Sequence, residues 1–152
     1  MDINVIAVDP GKITGIAWYD GRHFGSTQKS EEEITSYLAG LIEQRLHCIG
    51  QLHIVCERFD ITTQTGRKTS QPAAVNIIGD IRATCRRKRV GLTMQPASLA
   101  KKIGSKGVLR KLGWWDTRSA QTGNHANDGA SHVCLYLHNV HPTVWLNMLG
   151  SV

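Results

Sequence analysis

The 152-residue sequence has no uninterrupted apolar run of the roughly 18 residues that are needed to cross a bilayer. Its first residues lack the basic and apolar segments of a secretory signal. Its cysteines are scattered and never approach the spacing of zinc ribbons, thioredoxin-like motifs or disulfide frameworks: Cys48, Cys56, Cys85 and Cys134. We therefore expect a soluble cytoplasmic protein with buried, reduced thiols. The length is typical of one globular domain, so residues 1–152 are expected to form a single domain.

Acidic residues are absent between Ile81 and Trp115, although this stretch contains ten lysines and arginines. Residues 1–60 carry five basic and nine acidic side chains, whereas residues 61–152 carry thirteen and three. A dense basic surface is typical of proteins that bind phosphate groups. A basic face that meets only solvent would give the same pattern, so the charge distribution alone leaves both interpretations open.

Local patterns predict strands first and then alternating helices and strands. Two short apolar runs joined by the turn D-P-G-K-I-T predict a hairpin, and an Asp-Gly turn then predicts a third antiparallel strand. A capping-box pattern, Ser30 with Glu33, marks the start of the first helix. The expected strands are 4–8, 15–19, 22–27, 52–57 and 90–95, and the expected helices are 31–46, one that begins near Pro72, 96–103 and 127–139.

Two further details complete the prediction of secondary structure. On the second helix, the spacing places Ile78, Ile81 and Cys85 on the buried face. The glycine-containing region 104–113 is expected to be loop-rich. Together the elements favour an α/β fold in which helices flank a mixed sheet.

Two acidic residues follow buried strands. Asp9 ends the first strand and Glu57 ends the strand that is expected to lie parallel to it, so their carboxylates should be neighbours. Adjacent carboxylates repel each other unless a proton or a cation separates them, and Mg²⁺ or Mn²⁺ suits such oxygen ligands. Taken singly, Asp9 is also compatible with a plain turn residue, and Glu57 with an ion pair to Arg58.

A third cluster lies at the start of the last predicted helix. His125, Asp128 and His132 are spaced by three and four residues, so a helix would place them on one face. Asp128 is also compatible with a carboxylate that the helix dipole stabilises at the start of a helix, and His132 is compatible with a surface histidine.

Three segments together resemble the RuvC-type Holliday junction resolvases of the ribonuclease H-like superfamily: VDPGKITGIA at 8–17, VCERF at 55–59 and HANDGASHV at 125–133. The resemblance implies a ribonuclease H-like α/β fold, a mixed five-stranded sheet with helices on both faces. It implies a homodimer that resolves four-way DNA junctions by paired symmetric phosphodiester cuts. It also implies two Mg²⁺ or Mn²⁺ ions per active site, held by the catalytic residues Asp9, Glu57, His125 and Asp128.

The resemblance extends to DNA-binding residues, with two departures. The resemblance implies DNA contacts at Arg58, Phe59, Lys101, Lys102 and Lys106, and one of the three lysines would stabilise charge on the scissile phosphate. Arg67 and Lys68, the two cations of the polar loop predicted at 60–71, are further candidate DNA contacts. His125 stands where most members have an aspartate, so Asn127 and His132 are additional candidate ligands. The threonine-rich loop after Glu57 does not align with the family beyond Phe59.

Other functions remain compatible with the sequence. The same scaffold and acids would serve a broader nuclease that cuts flaps, forks and replication intermediates, and a catalytically inactive junction-binding module is a further alternative. An actin-like ATPase or sugar kinase shares a similar first motif but needs about twice this length. The short form suits a phage enzyme that acts in the host cytoplasm. Trp114 and Trp115 are compatible with base stacking, although core or dimer packing explains such a pair more often.

Overall fold

A computed structural model describes residues 2–59 and 71–151 of the chain. Its strands are β1 (Val5–Asp9), β2 (Ile13–Tyr19), β3 (Phe24–Ser30), β4 (His53–Glu57) and β5 (Gly91–Gln95). They form one sheet in the order β3-β2-β1-β4-β5. The first three strands are antiparallel neighbours, while β1, β4 and β5 run parallel to one another. The prediction of a mixed five-stranded sheet is therefore confirmed.

The helices in the described residues are α1 (Glu31–Leu46), α2 (Gln71–Lys88), α3 (Ala97–Ile103), α4 (Lys106–Lys111), α5 (Thr117–Gln121), α6 (His125–Val140) and α7 (Pro142–Gly150). The bounds of α1 agree with those expected from its capping box. There the backbone N–H and the hydroxyl of Ser30 both donate to the Glu33 carboxylate, at 3.3 and 2.8 Å. Among the described helices, none is long and apolar enough to cross a membrane.

Apolar cores lie on both faces of the sheet. Successive side chains of a strand point to opposite faces, so Val5 and Ala7 of β1 pack under α6 while Ile6 and Val8 pack under α1 and α2. The core under α1 and α2 consists mainly of branched aliphatic side chains, whereas the core under α6 combines aliphatic side chains with alanines and aromatic rings. The expectation of helices on both faces is confirmed, because the central strands need cover on each side.

The structure corrects the loop predicted at 104–113. Residues 106–111 form α4, whose first turn is capped by Ser105: its hydroxyl accepts the Val108 N–H at 3.4 Å. Leu109 is the buried anchor of this short helix. The glycines in the segment obscured a helix that tertiary packing stabilises, since two turns have little stability alone.

Several boundaries and faces also differ from the expectations. The third strand begins at Phe24 and continues to Ser30, because the Asp20 carboxylate holds the preceding turn by accepting two backbone N–H groups. On α2, Ile77 is buried where Ile78 was expected, so the buried face follows the i, i+4 spacing of Ile77, Ile81 and Cys85. Cys48 is exposed, in contrast to the other three cysteines.

The adjacent tryptophans have different environments. Trp114 is buried and stacks on Phe24, with ring centroids 4.2 Å apart. Trp115 is half-buried, and the Lys106 ammonium lies 5.1 Å from its ring centroid. Core packing is therefore the explanation for Trp114, while Trp115 forms part of the basic surface.

Candidate active site

Asp9 and Glu57 lie at the carboxyl ends of two adjacent parallel strands. The register pairs Val8 of β1 with Cys56 of β4, so the next residue of each strand reaches the same edge of the sheet. Their carboxylates lie close enough to shift each other's pKa, and Asp9 is only 8% exposed. The sequence-based expectation that these two acids are neighbours is confirmed.

The electrostatics of this pair differ from those of two ordinary carboxylates. Burial raises the pKa of Asp9 to about 7, and the nearby Glu57 and Asp128 charges act in the same direction, whereas the adjacent His125 ring acts to lower it. Burial also acts to raise the pKa of Glu57, but hydrogen bonds from His132 and Asp9 outweigh it and lower that pKa. Close carboxylates without a cation respond in this way, because their mutual repulsion favours the protonated form of one of them.

Glycines allow the start of α6 to approach the sheet closely. A Cβ atom on Gly15 of β2 would overlap the backbone carbonyl of His125, and one on Gly129 would press against the backbone of β2 at 3.3 Å. Gly15 is also the register partner of Asp9. This close packing brings His125 Nδ1 to 3.8 Å from Asp9 Oδ2. The nearby Asp9 carboxylate is the main cause that raises the pKa of His125, and burial opposes it.

The first turn of α6 is held in place by α5 and the residue before it. The Ser119 hydroxyl accepts the Ala126 N–H at 2.9 Å, which satisfies one of the unpaired donors at the helix start. The Asn127 amide exchanges two hydrogen bonds of 2.8 Å with the backbone of Asp116. Since Asn127 is committed to these bonds, the structure gives it an anchoring role and does not direct it toward the acids.

Asp128 lies at the margin of the carboxylate pair. Its Oδ1 is 3.7 Å from the Lys101 ammonium and 3.4 Å from the Asn124 amide nitrogen. Burial raises the pKa of Asp128, and the Lys101 charge opposes that effect. Of the three lysines considered from the sequence, Lys101 is thus the one that the structure places beside the acids, although its side chain remains 60% exposed.

His132 is a buried histidine and not the surface residue that one interpretation of the sequence allowed. It is 1% exposed, and its ring nitrogens contact Glu57 and Gln95. Sequence reasoning missed Gln95. The available signal was its place at the end of β5, where it is level with Glu57 on the neighbouring strand.

Of the remaining candidate DNA contacts, the structure describes four. Arg58 and Phe59 directly follow β4, and the Arg58 backbone N–H donates to the Gln95 carbonyl at 2.7 Å. Lys102 and Lys106 are exposed on α3 and α4. The predictions for Arg67 and Lys68 concern residues outside those that the structure describes.

The donor set at this edge suits a hard divalent cation in its chemistry. Two neighbouring carboxylates, with a third close enough to act on Asp9 electrostatically, are oxygen ligands whose mutual repulsion a cation would relieve. Within residues 2–59 and 71–151, however, no three His, Cys, Asp or Glu side chains converge on one point. The donor set that the structure itself supports is therefore the pair Asp9 and Glu57, with His125 and Asp128 beside it.

Comparison with known proteins finds a similarity in three-dimensional structure. The sequence matches no protein-family model and shows no significant match to a curated protein. Among solved structures, the chain is similar to T. thermophilus RuvC in complex with a Holliday junction substrate, with a TM-score of 0.56. The match covers 96% of each chain at 13% sequence identity. This chain has the RuvC fold. The fold class that the three sequence segments implied, ribonuclease H-like and α/β, is confirmed over nearly the whole chain.

Proposed function

We propose that this protein is a divalent-metal-dependent endonuclease that resolves four-way DNA junctions by paired symmetric phosphodiester cuts. The observation that carries the proposal is the contact between Asp9 and Glu57 at the carboxyl edge of a sheet with the RuvC fold. This is also the edge at which the three sequence segments converge. The solved structure with the same fold is bound to a Holliday junction substrate, which supports branched DNA as the substrate class.

Asp9 and Glu57 are the residues we assign to holding Mg²⁺ or Mn²⁺, with His125 and Asp128 completing the set. When bound, such ions supply an activated water and stabilise the charge that develops on the leaving oxygen. Asp9 is suited to the central position because it contacts both Glu57 and His125. A cation would take the place of the proton that the two acids share in its absence.

The other side chains at this edge can neutralise negative charge on the substrate and hold a proton next to Asp9. Lys101 lies beside Asp128, where its ammonium can contact a phosphate oxygen as negative charge develops there. His125 can hold a proton at Nδ1 next to Asp9. The burial of Asp9 removes bulk water from one side of the site, which strengthens every charge interaction in it.

The basic helices supply the affinity for DNA. Most of the arginines and lysines on α2, α3 and α4 face solvent, and they lie in the stretch 81–115, which contains no acidic residue. Neutralising phosphates with these side chains makes binding strongly dependent on salt. The DNA contacts that we propose are Arg58, Phe59, Arg67, Lys68, Lys101, Lys102 and Lys106. Two symmetric cuts need two sites related by a twofold axis, so we propose a homodimer in the cytoplasm.

Cleavage of defined DNA substrates tests the proposal. End-labelled four-way junction, 5′ flap, replication fork and linear duplex are incubated side by side with Mg²⁺, Mn²⁺ or chelator. The wild-type protein and Asp9→Asn are compared. We expect symmetric, metal-dependent nicks in the junction that the variant does not make, while its junction binding is retained. Equal cutting of flaps and forks would establish a broader branched-DNA nuclease instead. Tight binding without any cleavage would establish a junction-binding module.

A further inference from the structure

His132 is a deeply buried histidine next to the two acids, with only 1% of its surface exposed. Its neighbours on α6, such as Val133 and Cys134, are apolar and fully buried. Burying a polar ring among such side chains is unfavourable unless both of its nitrogens find partners. Both nitrogens are in fact satisfied, and one of the partners belongs to the candidate active site.

The ring of His132 connects the ends of two strands. Its Nδ1 lies 2.8 Å from Oε1 of Gln95, and its Nε2 lies 3.1 Å from Oε2 of Glu57. Gln95 is itself 3% exposed, so this partner is as inaccessible to water as the histidine. Glu57 and Gln95 are register partners on β4 and β5. A side chain from α6 therefore holds two adjacent strand ends in one hydrogen-bonded chain.

The proton arrangement follows from the chemistry of the two partners. A carboxylate oxygen accepts but cannot donate, so the nitrogen that faces Glu57 must carry hydrogen. With Gln95 presenting its oxygen, Nδ1 also carries hydrogen. If the Gln95 amide is turned over, its NH₂ group donates to Nδ1 and the ring is neutral. In both arrangements the Nε2–H group donates to Glu57.

We propose that His132 is a positioning residue that orients the Glu57 carboxylate for binding a divalent cation. The inference rests on the proposed function, in which Glu57 is a metal ligand. His132 engages Oε2, which leaves the other carboxylate oxygen as the one that is presented to a cation beside Asp9. Gln95 in turn prevents rotation of the imidazole. Partners that lie behind a ligand in this way commonly affect metal affinity by about 10- to 100-fold.

Mn²⁺ binding without DNA tests this role independently of cleavage. Free Mn²⁺ is followed by electron paramagnetic resonance in titrations of the wild type, Asp9→Asn, His132→Gln and His132→Asn. The two amide variants form a matched pair. The glutamine amide reaches the place of Nε2 and can still donate to Glu57, whereas the asparagine amide reaches only the place of Nδ1 and keeps the contact with Gln95.

We expect His132→Asn to weaken Mn²⁺ binding by about 10-fold or more, and His132→Gln to remain within about 3-fold of the wild type. Equal loss of Mn²⁺ affinity in both variants would mean that His132 only supports the core. Unchanged Mn²⁺ affinity in His132→Asn would mean that His132 has no role at the metal. Either result would overturn the inference. If the wild type shows no Mn²⁺ site that depends on Asp9, the metal assignment of the proposed function fails as well.

A measurement on the unaltered protein keeps the inference testable if the variants do not fold. The ¹⁵N spectrum of the histidine rings in the Mg²⁺-loaded wild type reports which nitrogen carries hydrogen. We expect His132 Nε2 to be protonated and protected from exchange with solvent. An unprotonated Nε2 could not donate to Glu57 and would overturn the proposal.

Discussion

Replacing Asp9 with asparagine should stabilise the metal-free protein at neutral to basic pH while it abolishes cleavage. The pKa of Asp9 is raised to about 7 from its ordinary 3.8, with burial as the main cause. Between these two values the native state holds a proton that the unfolded chain has released, so stability falls as pH rises through this window. Asparagine cannot ionise, and its NH₂ group can donate to Glu57 as the protonated aspartic acid does.

The magnitude follows from the shift. A raised pKa of about 7 is roughly three units above the ordinary value, and each unit corresponds to ~1.4 kcal/mol, so the upper limit is on the order of 4 kcal/mol. The lowered pKa of Glu57 offsets part of this, because the proton is shared within the pair. We therefore expect the advantage of Asp9→Asn over the wild type to grow by on the order of 2 kcal/mol between about pH 5 and pH 8.

Urea unfolding in the presence of chelator measures this difference. Asp80→Asn, which changes an exposed aspartate of α2 in the same way, is the matched control and should show no such growth with pH. Adding Mg²⁺ should narrow or reverse the difference, since only the wild type gains from binding the cation. An Asp9→Asn protein that is less stable than the wild type at pH 8, or whose advantage does not change with pH, would refute the reasoning.

Three further variants probe the site and the basic surface. Gly15→Ala should destabilise the fold by about 1–3 kcal/mol and greatly reduce cleavage, because its Cβ overlaps the His125 carbonyl; urea unfolding and junction cleavage measure this, and near-normal values of both would contradict it. Lys101→Met should lower kcat by about 100-fold, whereas Lys102→Met should act mainly on DNA affinity; equal effects in single-turnover assays would argue against a role at the phosphate. Neutralising three basic residues at the end of α2 together should weaken DNA binding and reduce the dependence of its affinity on salt: Arg86, Arg87 and Arg89. An unchanged salt dependence would mean that the DNA binds elsewhere.

Much of the fold and the central acid pair could be predicted from local patterns. The capping box of Ser30 and Glu33 spans only four residues, so the start of α1 can be predicted without any tertiary contact. Asp9 and Glu57 each follow an apolar run, and parallel pairing places the ends of such strands at one edge. Central strands that are covered on both faces are apolar throughout. The apolar composition of β1 and β4 therefore predicts that they pair in the centre of the sheet.

Other parts of the site depend on contacts that no local pattern contains. The sequence offered Lys101, Lys102 and Lys106 as equivalent candidates, and only the packing of α3 against α6 places Lys101 beside Asp128. The burial of His132 likewise depends on where α6 crosses the sheet. That crossing is set by Gly15 and Gly129, where the absence of a side chain lets two backbones meet.

The sequence by itself determined the five strands, the helices α1, α2, α3 and α6, and the acidic residues at the ends of the central strands. These features depend on hydrophobic periodicity and on caps, which act over a few residues. Tertiary structure alone decided that Gln95, His132 and Glu57 form one hydrogen-bonded chain. His132 is 37 residues from Gln95 and 75 residues from Glu57 in sequence. Contacts at that separation arise only when the helix and the sheet pack together, since each bond needs a donor and an acceptor that different elements supply.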